Sequence, residues 1–192
     1  AIMDPERRYD HADEVVQACC KLWESWEPDA IVYDRQNGIY ADPSKVHHAD
    51  FEGRWVSARG PLPTPRSPQG RPVLMQAGSS ERGRDFAARW AEVVFTLQHA
   101  KSDMQAFYAD VKARVELAGR RLEDCAILPG IDVVLGETES IAQEKAAYLG
   151  SLVNAEFGVA EMSNATGCNL AGQDIDRPLG ELDLKEGARG ML

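Results

Sequence analysis

Pro72-Val73-Leu74-Met75-Gln76-Ala77-Gly78-Ser79-Ser80 is the stretch on which the fold turns. After the proline, Val73–Ala77 is a short, mostly apolar run without helical periodicity, the pattern of a strand buried on both faces. Gly78 permits a tight turn, and Ser79-Ser80 places two hydroxyls where a helix begins. Phe86, Ala87, Trp90 and Ala91 then carry a helical stripe. The same unit recurs downstream. Val93-Val94-Phe95-Thr96-Leu97 reads as a second buried strand. Ser102 opens a helix with a capping box to Gln105, striped by Met104, Phe107, Tyr108, Val111 and Val115 and stopped by Gly119. Residues 126–134, broken by Pro129-Gly130, form a third strand region. Thr138 or Ser140 caps a helix carrying Ile141, Ala142, Ala146, Leu149 and Val153. Successive strand–helix units of this kind predict an α/β fold with a parallel sheet.

Upstream, residues 9–26 have the period of an amphipathic helix. Ala12, Val15, Val16, Cys19, Leu22, Trp23 and Trp26 lie on one side, with Asp10, Asp13, Glu14 and Lys21 on the other, and Pro28 ends the pattern. Residues 27–72 hold seven of the ten prolines, a density that forbids helix. A connection of that length is unusual inside a compact domain. It therefore reads as an insertion on a scaffold, organised by short strands near Ala30–Tyr33 and Trp55–Ala58. From Ser163 to Leu192 five glycines break the sequence, which predicts a loop-rich tail or second insertion. The whole chain, residues 1–192, is expected to form one domain.

Composition narrows the function classes. Twenty-one basic residues against 31 acidic ones give a net charge of −10, which repels phosphate backbones and argues against bulk nucleic-acid binding. No apolar run reaches the roughly 18 residues of a membrane helix. Cys19, Cys20, Cys125 and Cys168 contain no C-x-x-C pair and fit a reducing cytoplasm better than a disulfide framework. The chain starts at Ala1 and runs almost directly into helical sequence, which suggests a piece of something longer.

The motif with most chemistry is the turn Gln76–Gly83. Backbone N–H groups at a strand-to-helix turn, a positive helix end and serine hydroxyls make an anion site, with Arg82 and Arg84 nearby. Plain N-capping by Ser79 or Ser80 explains the same residues. No G-x-S-x-G elbow or P-loop spacing is present. His47-His48 sits near Asp50 and Glu52. Adjacent residues in extended chain point to opposite sides, so a solvated loop is expected there and no metal site. His99 follows the second strand, on the face where barrel active sites lie, but a solvent-facing loop histidine is the preferred reading. Trp23, Trp26, Trp55 and Trp90 do not interleave with basic residues and read as core and loop anchors.

Several ordered blocks resemble one flavin monooxygenase family. They include Arg8-Tyr9-Asp10-His11-Ala12-Asp13-Glu14, Leu22-Trp23-Glu24-Ser25-Trp26-Glu27-Pro28, Ala41-Asp42-Pro43-Ser44-Lys45-Val46-His47-His48, Gly53-Arg54-Trp55 and Gly60-Pro61-Leu62. Pro68–Ser80 and Ala87–Phe95 follow in register. The family is that of the nitrilotriacetate, EDTA and dibenzothiophene-sulfone monooxygenases, within the bacterial-luciferase-like group. The resemblance implies a partial (β/α)₈ TIM barrel, about strands 5–7, with a long proline-rich insertion. Four strands are expected before Ala1 and one beyond Leu192.

The resemblance also implies chemistry. FMN, reduced by a separate flavin reductase, would act with O₂ to oxygenate a small organic substrate of the sulfone, aminopolycarboxylate or alkane class. The protein would be cytoplasmic and homo-oligomeric, with no nucleic-acid or membrane partner. Ser80, with Ser79 beside it and Gly78 before it, matches the residues that hold the FMN phosphate, and Tyr9 matches a tyrosine of the flavin site, at the edge of the ring system. No catalytic residue is assigned. Pro5 stands where relatives usually carry a histidine, which weakens or disturbs that part of the site. Two alternatives follow: a non-catalytic truncated barrel that at most binds flavin phosphate, and an oxidoreductase of the same group using the deazaflavin F420.

Overall fold

A computed structural model describes residues 4–98, 100–166 and 169–172. The chain divides into two compact units that part after Pro129.

The first unit opens with α1, Pro5–Trp23. It starts four residues before the expected helix because Pro5 occupies the first turn, where a missing N–H costs nothing. It ends at Trp23 rather than near Pro28, because the Ser25 hydroxyl donates to the Leu22 carbonyl at 2.6 Å and closes the last turn. Trp26 has left the helix, and its indole N–H donates to the Leu62 carbonyl at 2.9 Å. The expected stripe is also corrected. Val15 is exposed, whereas Asp13 and Glu14, assigned to the solvent face, are 7% and 9% exposed.

The proline-rich region is organised by two antiparallel hairpins. β1 (Ile31–Asp34) pairs with β2 (Ile39–Ala41), and β3 (Phe51–Glu52) pairs with β4 (Ser57–Ala58). Glu14 ties the second hairpin to α1. Its Oε1 accepts the amides of Trp55 (2.7 Å) and Val56 (2.6 Å), and a Cβ on Gly53 would fall 2.0 Å from that oxygen.

The sheet follows. β5 is Met75–Gln76, α2 is Glu81–Trp90, β6 is Val93–Thr96, α3 is Lys101–Leu117 and β7 is Ala126–Pro129. The strands run parallel in the order β5-β6-β7, with Met75 opposite Val93 and Val93 opposite Ala126. Consecutive strands are neighbours, and α2 and α3 share one core of Ala87, Ala88, Ala91, Val94, Phe107, Val111, Val115 and Cys125. Both helices therefore cover the same face, as in a barrel wall rather than a doubly wound sheet. Pleating puts Met75, Phe95 and Leu128 on the opposite face, where they are 60%, 38% and 47% exposed.

The strands are shorter than the apolar runs. The Leu74 amide donates to the Glu92 carboxylate at 2.6 Å instead of entering the ladder, and Leu97 lies beyond β6. The Ser102 capping box is not formed. α3 starts at Lys101 with Ala100 as its cap, and Ser102 lies inside the first turn. Gly119 does stop the helix, at φ 75°. Its amide reaches the Glu116 carbonyl (2.9 Å), and the Arg120 amide reaches that of Val115 (3.1 Å), a Schellman closure.

The second unit holds α4 (Glu139–Ser151) and α5 (Ala155–Thr166). Thr138 caps α4 by accepting the Ile141 amide at 3.3 Å. No residue of α4 is buried, so its expected apolar stripe has no core under it within this unit. Ser163 is helical rather than the start of a loop. The tail from residue 173 lies outside the described residues.

Candidate functional site

The turn between β5 and α2 leaves the sheet at its C-terminal edge. The Gly78 amide donates to Gln76 Oε1 at 2.5 Å, which bends the chain away from the strand. Ser80 is the N-cap of α2 with extended backbone. Its Oγ accepts the Gly83 amide at 3.1 Å, and its carbonyl accepts the Arg84 amide at 2.9 Å. An oxygen that accepts this amide keeps its own O–H to donate. Ser79 and Ser80 are both exposed residues at the positive end of a ten-residue helix, and the Ser80 hydroxyl is turned onto the Gly83 amide.

Tyr9 comes to this turn from α1. A Cβ on Gly83 would lie 2.6 Å from the Tyr9 hydroxyl oxygen and 2.9 Å from Ser80 Oγ. A Cβ on Gly78 would lie 2.9 Å from the same tyrosine oxygen. The Tyr9 hydroxyl thus sits in a notch made by two glycines, beside the capping serine. Its ring packs on Phe86, centroids 5.6 Å apart. Tyr9, Gly78 and Ser80, separated by about seventy positions in sequence, form one cradle, with Ser79 adjoining it in the chain. Gly83 and Gln76, the two ends of the turn singled out from sequence, belong to the same cradle, though neither was assigned a role of its own there. The one available signal was a second glycine just inside a helix start.

The two arginines near the turn are held by carboxylates. Arg82 Nη2 reaches Asp10 Oδ1 at 2.9 Å and Asp13 Oδ2 at 2.7 Å. The hydrogen bond to Asp13, more than that to Asp10, raises its pKa further and keeps it cationic. Asp13 Oδ1 also accepts the Trp90 indole N–H at 2.6 Å. Arg84 pairs with Asp110 at 3.2 Å, and its buried Nε has no hydrogen-bond partner among the described residues.

The remaining candidates lie elsewhere. His47 Nε2 contacts Glu27 Oε1 at 2.8 Å, and His48 Nδ1 contacts the Gly60 carbonyl at 2.8 Å, so the two rings engage different partners. His99 lies outside the described residues. Pro5 supplies the opening residue of α1.

A sequence model described as luciferase-like monooxygenase matches residues 2–184, nearly the whole chain. The chain belongs to the luciferase-like monooxygenase family. Within it, a dibenzothiophene-sulfone monooxygenase of Rhodococcus erythropolis is 48% identical over 180 residues, covering 94% of this chain and 40% of that protein. Among solved structures, a long-chain alkane monooxygenase superposes with a TM-score of 0.86 at 37% identity, over 95% of this chain and 42% of its own. A riboflavin lyase solved with modified FMN and riboflavin gives 0.85 at 35% identity, over 97% and 42%. The chain thus spans about two-fifths of the length of these luciferase-like relatives. With neighbours of that kind, the three-stranded parallel sheet is part of a luciferase-like TIM barrel.

Proposed function

We propose that this chain carries the phosphate-binding turn of an FMN-dependent, two-component monooxygenase. Its parts are Tyr9, Gly78, Ser79 and Ser80. The observation that carries the reading is the cradle itself: the hydroxyls of a capping serine and of a tyrosine, both against Gly83, at a helix N-terminus on the C-terminal edge of a parallel sheet. That donor set fits a phosphate dianion, which a helix end and hydroxyl donors both favour. It is also the edge on which barrel enzymes build their sites. FMN, reduced by a separate flavin reductase, would supply the oxygen-transfer chemistry with O₂. This chain's residues would bind the phosphate and fix its orientation.

The substrate belongs, in this proposal, to the sulfone, aminopolycarboxylate or alkane class, in keeping with the named relatives. Residues 27–72 are an insertion on the barrel. The protein works in the cytoplasm as a homo-oligomer; the free thiols of Cys19, Cys20 and Cys125 favour a reducing compartment. The test is equilibrium binding of FMN and of riboflavin to the purified chain, followed by flavin fluorescence. FMN is expected to bind more tightly, because riboflavin lacks the phosphate. Equal affinities would refute the assignment. Oxygenation is tested on the full-length protein with a flavin reductase, O₂ and a candidate sulfone.

A second reading, a non-catalytic partial barrel that at most binds a phosphate, is favoured by one observation. Pro5 opens α1 where the family resemblance places a histidine, and a proline offers neither a donor nor a base. FMN binding to the full-length protein without reductase-dependent oxygenation of any candidate substrate decides for it.

A further inference from the structure

The geometry points to Arg82 as a positioning residue: it fixes Tyr9 on the turn by clamping α1 to the first turn of α2. This inference rests on the phosphate-turn reading above. Three observations meet at one guanidinium. Arg82 is the second residue of α2, so its backbone belongs to the turn that carries Ser80. Its side chain spans to α1, bonding Asp10 and Asp13 on successive turns of that helix. Its Cζ also lies 5.8 Å from the centroid of the Tyr9 ring, the residue immediately before Asp10. One planar cation therefore grips the helix segment that delivers the tyrosine and covers the tyrosine's own ring. Both bonds leave the one Nη2, so the rest of the guanidinium plane is what lies against the tyrosine ring, and a lysine ammonium has no such second part.

The rest of the clamp is rigid. Asp13 is 7% exposed, and its second oxygen is taken by the Trp90 indole at the far end of α2. α1 is thus held at both ends of α2, by Arg82 at the start and Trp90 at the finish. Tyr9 enters the Gly78–Gly83 notch only at one relative position of the two helices. A loosened clamp moves the hydroxyl by far more than the few tenths of an ångström a hydrogen bond tolerates.

The role makes Arg82 act through Tyr9 rather than on the phosphate, and a double-mutant cycle separates the two. FMN and riboflavin affinities are measured for the parent chain, Arg82→Met, Tyr9→Phe and the double variant. Arg82→Met is expected to weaken FMN about tenfold, as does loss of the tyrosine hydrogen bond, with riboflavin unchanged. In the Tyr9→Phe background Arg82→Met is expected to add little. Additive losses would overturn the proposal in favour of direct contact with the phosphate, and an Arg82→Met chain that binds FMN like the parent would overturn it outright. Arg82→Lys, which keeps the charge but lacks the guanidinium plane against the Tyr9 ring, is expected to recover only part of the loss, and full recovery would overturn the role given to that plane. If circular dichroism shows that Arg82→Met does not fold, Asp10→Asn takes its place in the cycle. It removes the more exposed carboxylate, with the same expected direction and the same overturning results. A Ser80→Asp control keeps the two readings apart: if it leaves FMN affinity intact, the phosphate-turn reading itself fails. If it abolishes FMN binding while Arg82→Met does nothing, only the clamp fails.

Discussion

At the scale of single residues, Ser80 does two jobs that substitutions can separate. It caps α2 by accepting the Gly83 amide, and its hydroxyl proton remains to donate. Ser80→Asp retains a good cap but places a negative charge where a dianion would bind. Thermal stability is expected to hold, within about 0.5 kcal/mol, while FMN affinity falls sharply. Ser80→Ala loses both, with about 1 kcal/mol of stability. A Ser80→Asp chain that binds FMN normally would reduce Ser80 to a cap. Gly83 makes a sharper test. In an ordinary helix Gly→Ala stabilises by up to about 1 kcal/mol. Here the new methyl would meet the Tyr9 oxygen at 2.6 Å. Gly83→Ala is expected to destabilise the parent, or to displace Tyr9 and weaken FMN binding as Tyr9→Phe does. In the Tyr9→Phe background the cost is expected to shrink, because the nearest obstructing oxygen is gone while Ser80 Oγ still lies 2.9 Å from the new methyl. Denaturant unfolding of the four chains checks that reduction, and an equal cost in both backgrounds would remove Tyr9 from the notch.

At the scale of elements, the sheet and the helix α1 were legible but the buried face of α1 was not, and the reason is range. A strand followed by a glycine turn and a helix is written in neighbouring residues, so β5, α2, β6, α3 and β7 were all recognisable, as was the Gly119 stop. The cradle was half legible. Serines at a helix start announce an anion site or a cap, but only the family resemblance brought in Tyr9. The buried carboxylates of α1 were misread because their partners are remote: Trp55 lies 41 positions from Glu14, and Arg82 lies 69 from Asp13. Nothing in an Asp-Glu pair on a helix reveals an amide or guanidinium that far away. The Glu14 contact carries its own prediction. Burial pushes its pKa up, but the amides of Val56, Trp55 and Arg54 outweigh burial and hold it below the ordinary carboxylate value. A lowered folded pKa means that the attachment of the hairpin to α1 is fully present above the unfolded pKa of about 4.3 and is lost as pH falls through the folded value. Tryptophan emission should therefore step at a pH below that range. The step should vanish in Trp55→Phe and in Glu14→Gln. A step that persists in Glu14→Gln would assign the acid transition to another group.

At the scale of the molecule, two forces compete, and the outcome is measurable. The sheet shows one face of Met75, Phe95 and Leu128 to solvent, and β5 and β7 pair only with β6 among the described residues, so both edges offer unpaired backbone. Apolar surface next to open strand edges favours self-association. Against it stands a net charge of −10, which keeps like chains apart at low ionic strength. Salt weakens the repulsion, with a screening length of about 8 Å at physiological strength, and leaves the apolar term nearly untouched. The chain is therefore expected to associate with rising concentration, and more strongly as salt rises from low to physiological. Sedimentation velocity across a dilution series at two salt concentrations reads this directly. Phe95→Ser with Leu128→Ser should shift the equilibrium toward monomer. Their stability cost should be small, about 0.5 kcal/mol each, because both side chains are already exposed. If the double variant associates as strongly as the parent, the contact lies on another surface. If salt weakens association instead, ion pairing rather than the apolar face drives it.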